Sequence, residues 1–369
     1  MHKAALLQIK GECVNKSHQL IFARYRSQLD PDKQHLLLAR VSSVMAKNLL
    51  ALSFPGGQVL AVVGGALQHA AASPLDLPAV GDMVLAQWEA DDKAVVVEVL
   101  PRRSILQRRS VGRQTVPQLI AANIDTVFVV TSFAGDFNLR RLERYVLAVL
   151  ASHIQCVILV NKCDLVDDPV DMLSDFSAVL GRVPIHPTSA VSREGLDGIE
   201  CHVNPGDTIC FIGSSGVGKS SLLNALAGEE LMETAPLRRE LTKGRHTTTM
   251  RQMLYLPSGL TVIDTPGMRE FAPWITDESC VDMAFEDIAL AATRCRYDDC
   301  SHTVEPDCAV VQGVEDGEIY EERVEAYREL IEEIRELNQQ RTLRGIAKQD
   351  HERRGRTRQH KKKKGYSSR

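Results

Sequence analysis

Residues 208–228 read TICFIGSSGVGKSSLLNALAG, and they decide the fold. The apolar run Thr208 to Ile212 has the look of a buried strand. It leads into Gly213, Ser214, Ser215, Gly216, Val217, Gly218, Lys219 and Ser220, which satisfy G-x-x-x-x-G-K-[ST], and SSLLNALAG continues from Ser220 as a helix. A strand, a glycine-rich turn and a helix in that order form a phosphate-binding loop. The glycines let backbone N–H groups turn inward around the phosphates, and Lys219 neutralises the β and γ phosphates as a catalytic group. The Ser220 hydroxyl is placed to ligate Mg²⁺, with Ser221 closing the cofactor-binding stretch.

Such a loop says nucleoside triphosphate without saying which one. Upstream, from Ile124, strand-like and helix-like runs alternate: DTVFVV, LRRLERYVLAVLASH, QCVILV and PVDMLSDFSAVL. This is the pattern of a parallel sheet with crossover helices. At the end of QCVILV stands NKCD: Asn161, Lys162, Cys163 and Asp164. Asp164 can accept from guanine N1–H and the exocyclic amine, a donor pair that adenine lacks. Asn161 can bond the purine at O6 or N7, and the stem of Lys162 can cover the ring. Ser189 and Ala190, in the TSA segment Thr188 to Ala190, follow another short strand, and a backbone N–H there can meet guanine O6.

Downstream, RQMLYL and LTVIDT read as a hairpin ending in DTPG. Asp264 can hold Mg²⁺ through water, and the Gly267 N–H can meet the γ phosphate and sense its loss. Between the loop and this motif lies GRHTTT, Gly244 to Thr249, where one of Thr247, Thr248 and Thr249 offers Mg²⁺ a second hydroxyl. Met268 occupies the place after Gly267 where a water-orienting Gln stands in Ras-like enzymes. His246 is the nearest catalytic candidate, with a structural or RNA-facing His246 as the alternative.

In a Ras-like GTPase the phosphate loop comes first and the guanine motif last. Here NKCD and TSA precede GSSGVGKS, GRHTTT and DTPG, so the domain is circularly permuted. The chain resembles the ribosome-associated GTPases of the RsgA/YjeQ (EngC) family over about residues 35 to 340. That resemblance implies hydrolysis of GTP to GDP and phosphate in late maturation of the small (30S) ribosomal subunit, stimulated by the subunit, with the subunit and its rRNA as partners, and it too points to His246. Permutation ends the nucleotide domain just after Gly267, so the C-terminal region is tethered to the segment that senses the γ phosphate.

That region holds Cys295, Cys300, His302 and Cys308, spaced C-x4-C-x-H-x5-C. Three thiolates and an imidazole are a competent tetrahedral set for one structural Zn²⁺ with no open position. The alternatives are free cysteines in a helical cap, or Cys280 as a substitute ligand. The spacing also matches the family's zinc motif.

Before the nucleotide domain, LLLARVSSVM, NLLALSF, QVLAVV, DMVLAQW and AVVVEV read as five short strands between turn signals. An OB-fold fits that count, and so does an SH3-like barrel. PRRSILQRRSVGR, with Arg102, Arg103, Arg108, Arg109 and Arg113, reads as a basic linker that contacts RNA or serves as a solvated hinge. After the cysteine cluster, EIYEERVEAYRELIEEIRELNQQ reads as a helix with Tyr320, Val324, Tyr327, Ile331 and Ile334 on one apolar stripe.

The expected fold is therefore multidomain. An extension of open structure (1–34) precedes an OB-fold-like barrel (35–105), a permuted α/β P-loop GTPase (114–275), a helical zinc-binding module (276–340) and a basic tail (341–369). That tail holds 12 Lys/Arg against 2 Asp/Glu, which leaves about −14 for the remainder of a chain whose formal charge is −4. It suits nucleic acid, or serves only to solubilise. No export signal or membrane-spanning run is evident, and the nine cysteines are an odd, mostly scattered number. A cytoplasmic monomer with no membrane partner is expected, binding GTP or GDP with Mg²⁺. The alternative function is a GTP-regulated RNA-binding module in which hydrolysis is incidental.

Overall fold

The structure is a computed structural model. It describes residues 16–46, 48–90, 93–109, 117–134, 138–170, 173, 183–231, 251–264, 274–275, 277–340 and 342. The chain divides into two compact units, residues 1–274 and 275–369.

The described part of the first unit has α1 (Lys16–Ser27) and then a barrel of five strands: β1 (Leu37–Ala46), β2 (Leu49–Phe54), β3 (Gly57–Val63), β4 (Met83–Ala90) and β5 (Lys93–Val99), with the short α2 (Gly65–Ala70) between β3 and β4. Their order is β1-β2-β3-β5-β4, closed by antiparallel pairing of β4 with β1, and β3 runs parallel to β5. This is the OB-fold arrangement. Alternate residues fill its core, as the period-2 pattern of a strand requires: Ala39 and Val41, Leu50 and Leu52, Val59, Ala61 and Val63, Val84 and Ala86, Ala94 and Val96. The segment left open in the sequence supplies a lid. Phe22, with Ile21, Tyr25 and Leu29, packs on Leu38, Met83, Leu85 and Leu100.

The supposed hinge after the barrel is structured. Ile105–Arg109 forms β6, paired antiparallel with β7 (Pro117–Ala122). Arg102 closes a two-point ion pair on the fully buried Asp82, with Nε–Oδ1 and Nη2–Oδ2 both 2.7 Å, and also donates to the carbonyls of Leu75 and Leu77. Arg103 pairs with Asp125 at 2.7 Å. Arg102 is used inside the fold because a desolvated carboxylate and carbonyls beside it need donors, whereas the Arg103–Asp125 pair is partly exposed. Arg113 lies outside the described residues.

The nucleotide domain is a sheet of β8 (Thr126–Ser132), β9 (Gln155–Asn161), β10 (Ile185–Pro187), β11 (Thr208–Gly213), β12 (Arg251–Tyr255) and β13 (Thr261–Asp264), ordered β10-β9-β8-β11-β13-β12. All neighbours are parallel except β12, which forms the expected hairpin with β13. β8, β9 and β11 are buried at nearly every position, as strands covered on both faces are. Their crossovers include α3 (Leu139–Leu150), capped by Asn138 accepting from the Arg141 N–H at 2.8 Å, then α4 (Asp197–Glu200) and α5 (Lys219–Ala227). β12 also pairs with β1, Ser43 opposite Gln252 and Val44 opposite Arg251, so one sheet runs from barrel to nucleotide domain.

The second unit contains α6 (Ser279–Ala284), α7 (Glu286–Ala292), α8 (Ala309–Glu315) and α9 (321–340). The buried face of α9 is Val324, Ala326, Leu330, Ile334 and Leu337, and other buried residues of this unit include Val281, Phe285, Ile288, Ala291 and Val310. Tyr320, expected on that stripe, is 61% exposed because it precedes the helix, whereas Leu337 extends the stripe by a turn. The buried Arg323 is paired with Asp287 at 2.8 Å and lies over the Phe285 ring, 4.6 Å from its centroid.

Candidate nucleotide and metal sites

β11 delivers the phosphate loop to the carboxyl edge of the sheet, the usual place for a ligand in an α/β fold. Gly213 has φ +146° and a Cβ there would run into the Val130 carbonyl of β8; Gly218 has φ +98° and a Cβ would strike the Asn161 side chain. Both positions therefore demand glycine. Lys219 lies across the loop, its Nζ donating to the carbonyls of Gly213 at 2.8 Å and Ser214 at 2.6 Å. Ser215 and Gly216 are exposed at the rim, Val217 is buried beneath it, and Ser220 is half-buried in the first turn of α5. The loop has one tie that sequence reading missed, Arg141 of α3, whose Nη1 donates to Ser214 Oγ at 2.7 Å.

The NKCD and TSA segments meet at the ends of neighbouring strands. β9 and β10 are parallel, with Val160 opposite Pro187, so Asn161 and Thr188 leave the sheet side by side. Lys162 takes the left-handed conformation (φ 65°) and starts a 3-10 turn over Cys163–Leu165 that exposes Asp164. Ser189 Oγ donates to Asp164 Oδ1 at 2.5 Å and accepts from the backbone N–H groups of Val191 and Ser192. Cys163 is buried, and burial, with Glu194 and Asp164 nearby, holds its thiol above the ordinary value. Asn161 spans the two halves of the site. Its Oδ1 accepts from the Ala190 N–H at 3.2 Å, and its Nδ2 donates to the Val217 carbonyl in the phosphate loop at 2.7 Å.

Asp264 is the last residue of β13, one step past the Cys210–Ile263 pairing and so beside the strand that carries the phosphate loop. Gly267, His246 and Thr247 to Thr249 lie outside the described residues.

The cysteine cluster is in the second unit. Cys295 Sγ is 3.8 Å from Cys308 Sγ and 3.7 Å from His302 Nδ1, and Cys308 Sγ is 3.5 Å from His302 Nδ1; Cys300 completes a set within 4.8 Å. Around tetrahedral zinc, bond lengths of about 2.3 and 2.0–2.1 Å put two sulfurs about 3.8 Å apart and a sulfur and a nitrogen about 3.6 Å apart. The observed edges fit that ion. Without a cation, burial and the neighbouring sulfurs of Cys308 and Cys295 push the Cys300 thiol up to about 12. Cys280, although buried, is not in the set.

The turn that carries His302 is shaped by Glu305, another residue that sequence reading passed over. Its carboxylate accepts from Ser301 Oγ at 2.5 Å and from the N–H groups of Ser301, Thr303 and Val304 at 2.9–3.2 Å. Those donors, the Ser301 hydroxyl first, hold it far below the usual carboxylate range. His302 takes φ 56° as a result of the tight turn.

A family model described as RsgA GTPase matches residues 99–274, and one described as 50S ribosome-binding GTPase matches residues 208–348, which begin at β11. The small ribosomal subunit biogenesis GTPase RsgA of Methanosarcina acetivorans is 44% identical over 321 residues, covering 87% of this chain and 84% of the relative. The chain belongs to the RsgA GTPase family. The RsgA of Opitutus terrae is 39% identical over 306 residues, covering 80% of the chain and 83% of the relative. Among solved RsgA-like structures, the crystal structure of YjeQ from Thermotoga maritima aligns with a TM-score of 0.61 at 26% identity, covering 81% of this chain and 98% of that one. YloQ, described as a circularly permuted GTPase, aligns with a TM-score of 0.57 at 25% identity, covering 84% and 98%. The description of the second agrees with the permuted motif order.

Proposed function

We propose that this chain hydrolyses GTP to GDP and phosphate and acts in late maturation of the small ribosomal subunit. One observation carries the nucleotide part: the Asn161 side chain bonds the Ala190 N–H on one side and the Val217 carbonyl on the other, so the base edge and the phosphate edge of one pocket share a strut. In this reading Asp164 accepts from guanine N1–H and the exocyclic amine while Ser189 fixes its orientation. Lys162 covers the ring face, and Asn161 and Ala190 address the purine edge. Lys219 exchanges its two carbonyl partners for the β and γ phosphates, and the N–H groups from Gly213 to Ser221 surround them. Ser220 and Asp264 would hold Mg²⁺, which supplies charge neutralisation between the phosphates. Gly267 senses the γ phosphate, and His246 positions the attacking water.

The relatives named for small-subunit biogenesis support the ribosomal part. The barrel at 35–105, the nucleotide domain at 114–275, the module at 276–340 and the tail at 341–369 divide the work in this reading. Cys295, Cys300, His302 and Cys308 would hold one structural Zn²⁺, which replaces an apolar core in a small module. The basic tail contacts rRNA phosphates. No described helix is long and apolar enough to cross a membrane, and a cytoplasmic monomer suits a ribosome-bound factor. The test is GTP turnover with and without isolated small subunits: turnover rising with added subunits is expected, whereas turnover indifferent to them would overturn this reading, and GTP-dependent subunit binding unaffected by blocking hydrolysis would favour a GTP-regulated RNA-binding module.

A further inference from the structure

Among the described residues, a second group of metal-ligating side chains stands apart from the cysteine cluster: His186, Cys201 and His202, whose ligand atoms all lie within 4.8 Å of one another. His186 is the middle residue of β10, the outermost strand of the parallel sheet. Cys201 and His202 follow α4 at the start of the turn that leads to β11. We propose that these three residues form a second transition-metal site, of the zinc class, with its fourth position open to solvent.

The imidazole edge of the group is close to what such an ion needs, and the Cys201 sulfur lies within 4.8 Å of it. His186 Nε2 and His202 Nε2 are 2.9 Å apart. Two imidazole nitrogens on tetrahedral zinc lie about 3.3 Å apart, so the rings must separate by only about 0.4 Å. As the pair stands, one ring donates its Nε2 proton to the other. A metal takes both Nε2 lone pairs, so each ring carries its proton on Nδ1, and the Cys201 thiol proton goes to solvent.

The surroundings accommodate that tautomer. His202 Nδ1 is 3.4 Å from the Gln155 amide, whose Oε1 accepts from Thr126 Oγ1 at 3.3 Å; Thr126 Oγ1 is also 3.5 Å from the His202 carbonyl. Turning the Gln155 amide over presents its carbonyl to Nδ1–H and its NH₂ to Thr126 Oγ1, whose own proton then goes to the His202 carbonyl. His186 is seated by a glycine: a Cβ at residue 198 would lie 2.8 Å from its Cγ and 2.9 Å from its Nδ1.

The donor set selects the ligand. Two imidazoles and one thiolate suit zinc and its soft or borderline neighbours, and no carboxylate in the set suits magnesium or calcium. Cys201 is exposed and the other two are half-buried, so the ion would exchange more freely than one held by three thiolates. Cys201 Sγ now donates to the Gly198 carbonyl at 3.5 Å, a weak bond that deprotonation on metal binding would release. The structural effect of the metal would be to pin β10 to the turn preceding β11.

The test uses the full chain with one equivalent of Zn²⁺ already bound, titrated with Co²⁺. The expected result is a second equivalent with a sulfur-to-cobalt charge-transfer band weaker than that of a three-thiolate site. Cys201→Ser should abolish that band, and Cys201→Ser and His202→Gln should each weaken the second equivalent by about tenfold or more while leaving the first in place. His202→Gln keeps a hydrogen-bonding partner for His186, and matching circular dichroism confirms that both variants are folded. A wild-type chain that takes up only one equivalent, or a second equivalent unchanged in both folded variants, would overturn the proposal.

Discussion

Arg40 Nη2, from the barrel, donates to Thr208 Oγ1, on the first residue of the phosphate-loop strand, at 2.9 Å. Arg40 is 2% exposed and also donates to the carbonyls of Gly81 at 3.1 Å and Asn123 at 3.3 Å. Its Nη1 finds no partner among the described residues, and burial lowers its pKa. No carboxylate hydrogen-bonds this cation, although Asp125 acts on it through space, and it joins two parts of the fold that β1 and β12 already bring into one sheet.

Arg40→Met should therefore destabilise the first unit by about 2–4 kcal/mol, since three charge-assisted bonds go but a buried charge goes with them. Thr208→Val should cost about 1–3 kcal/mol by leaving Arg40 short of an acceptor. Denaturant unfolding of both single variants and the double variant measures the coupling, and strict additivity would mean that the 2.9 Å contact contributes nothing.

Asp164→Asn should weaken GTP by roughly a hundredfold or more, because two hydrogen bonds to a charged acceptor are lost. The same variant should favour xanthosine triphosphate, whose C2 oxygen pairs with an amide donor. Fluorescent-nucleotide titrations give both affinities. Unaltered GTP binding would remove Asp164 from the base site.

Lys219→Ala and Ser220→Ala should abolish turnover with little effect on unfolding. The two carbonyls that Lys219 occupies lie on a half-exposed loop where water replaces it, and Ser220 is only half-buried. Phosphate release and thermal melting separate the two effects; normal turnover in a folded Ser220→Ala chain would misplace the Mg²⁺ ligand.

Elemental analysis after prolonged dialysis should find one zinc per chain, lost in Cys295→Ser and Cys308→Ser with loosening of the second unit and no loss of nucleotide binding. Glu305→Gln should retain the metal less tightly, because the N–H groups of Ser301, Thr303 and Val304 close on a charge that Gln lacks. A chain that keeps its fold in strong chelator with no zinc bound would sink this.

Removing residues 341–369 takes away 12 Lys/Arg and should lower both affinity for small subunits and the salt slope of binding, by about 0.7–0.9 for each phosphate that is no longer neutralised. Turnover without ribosomes should persist. Binding with unaltered slope would make the tail a solubilising one.

Local patterns fixed much of the outcome in advance. GSSGVGKS needs its strand and helix beside it in sequence, NKCD and DTPG sit at strand ends, and C-x4-C-x-H-x5-C brings four ligands within one loop. Each is a short-range signal set by backbone geometry and side-chain chemistry, so motif order alone exposed the permutation. Tertiary structure decided whatever depends on partners far apart in the chain. Five strands suited two barrels until the parallel β3–β5 pairing closed one of them. Arg102 read as linker charge until Asp82, twenty residues earlier, proved to be its buried partner. Neither Arg40 on Thr208, nor Arg141 on Ser214, nor His186 against His202 leaves a periodic trace, because a contact across 168, 73 or 16 residues is made by the packing of the sheet and not by the spacing of the chain.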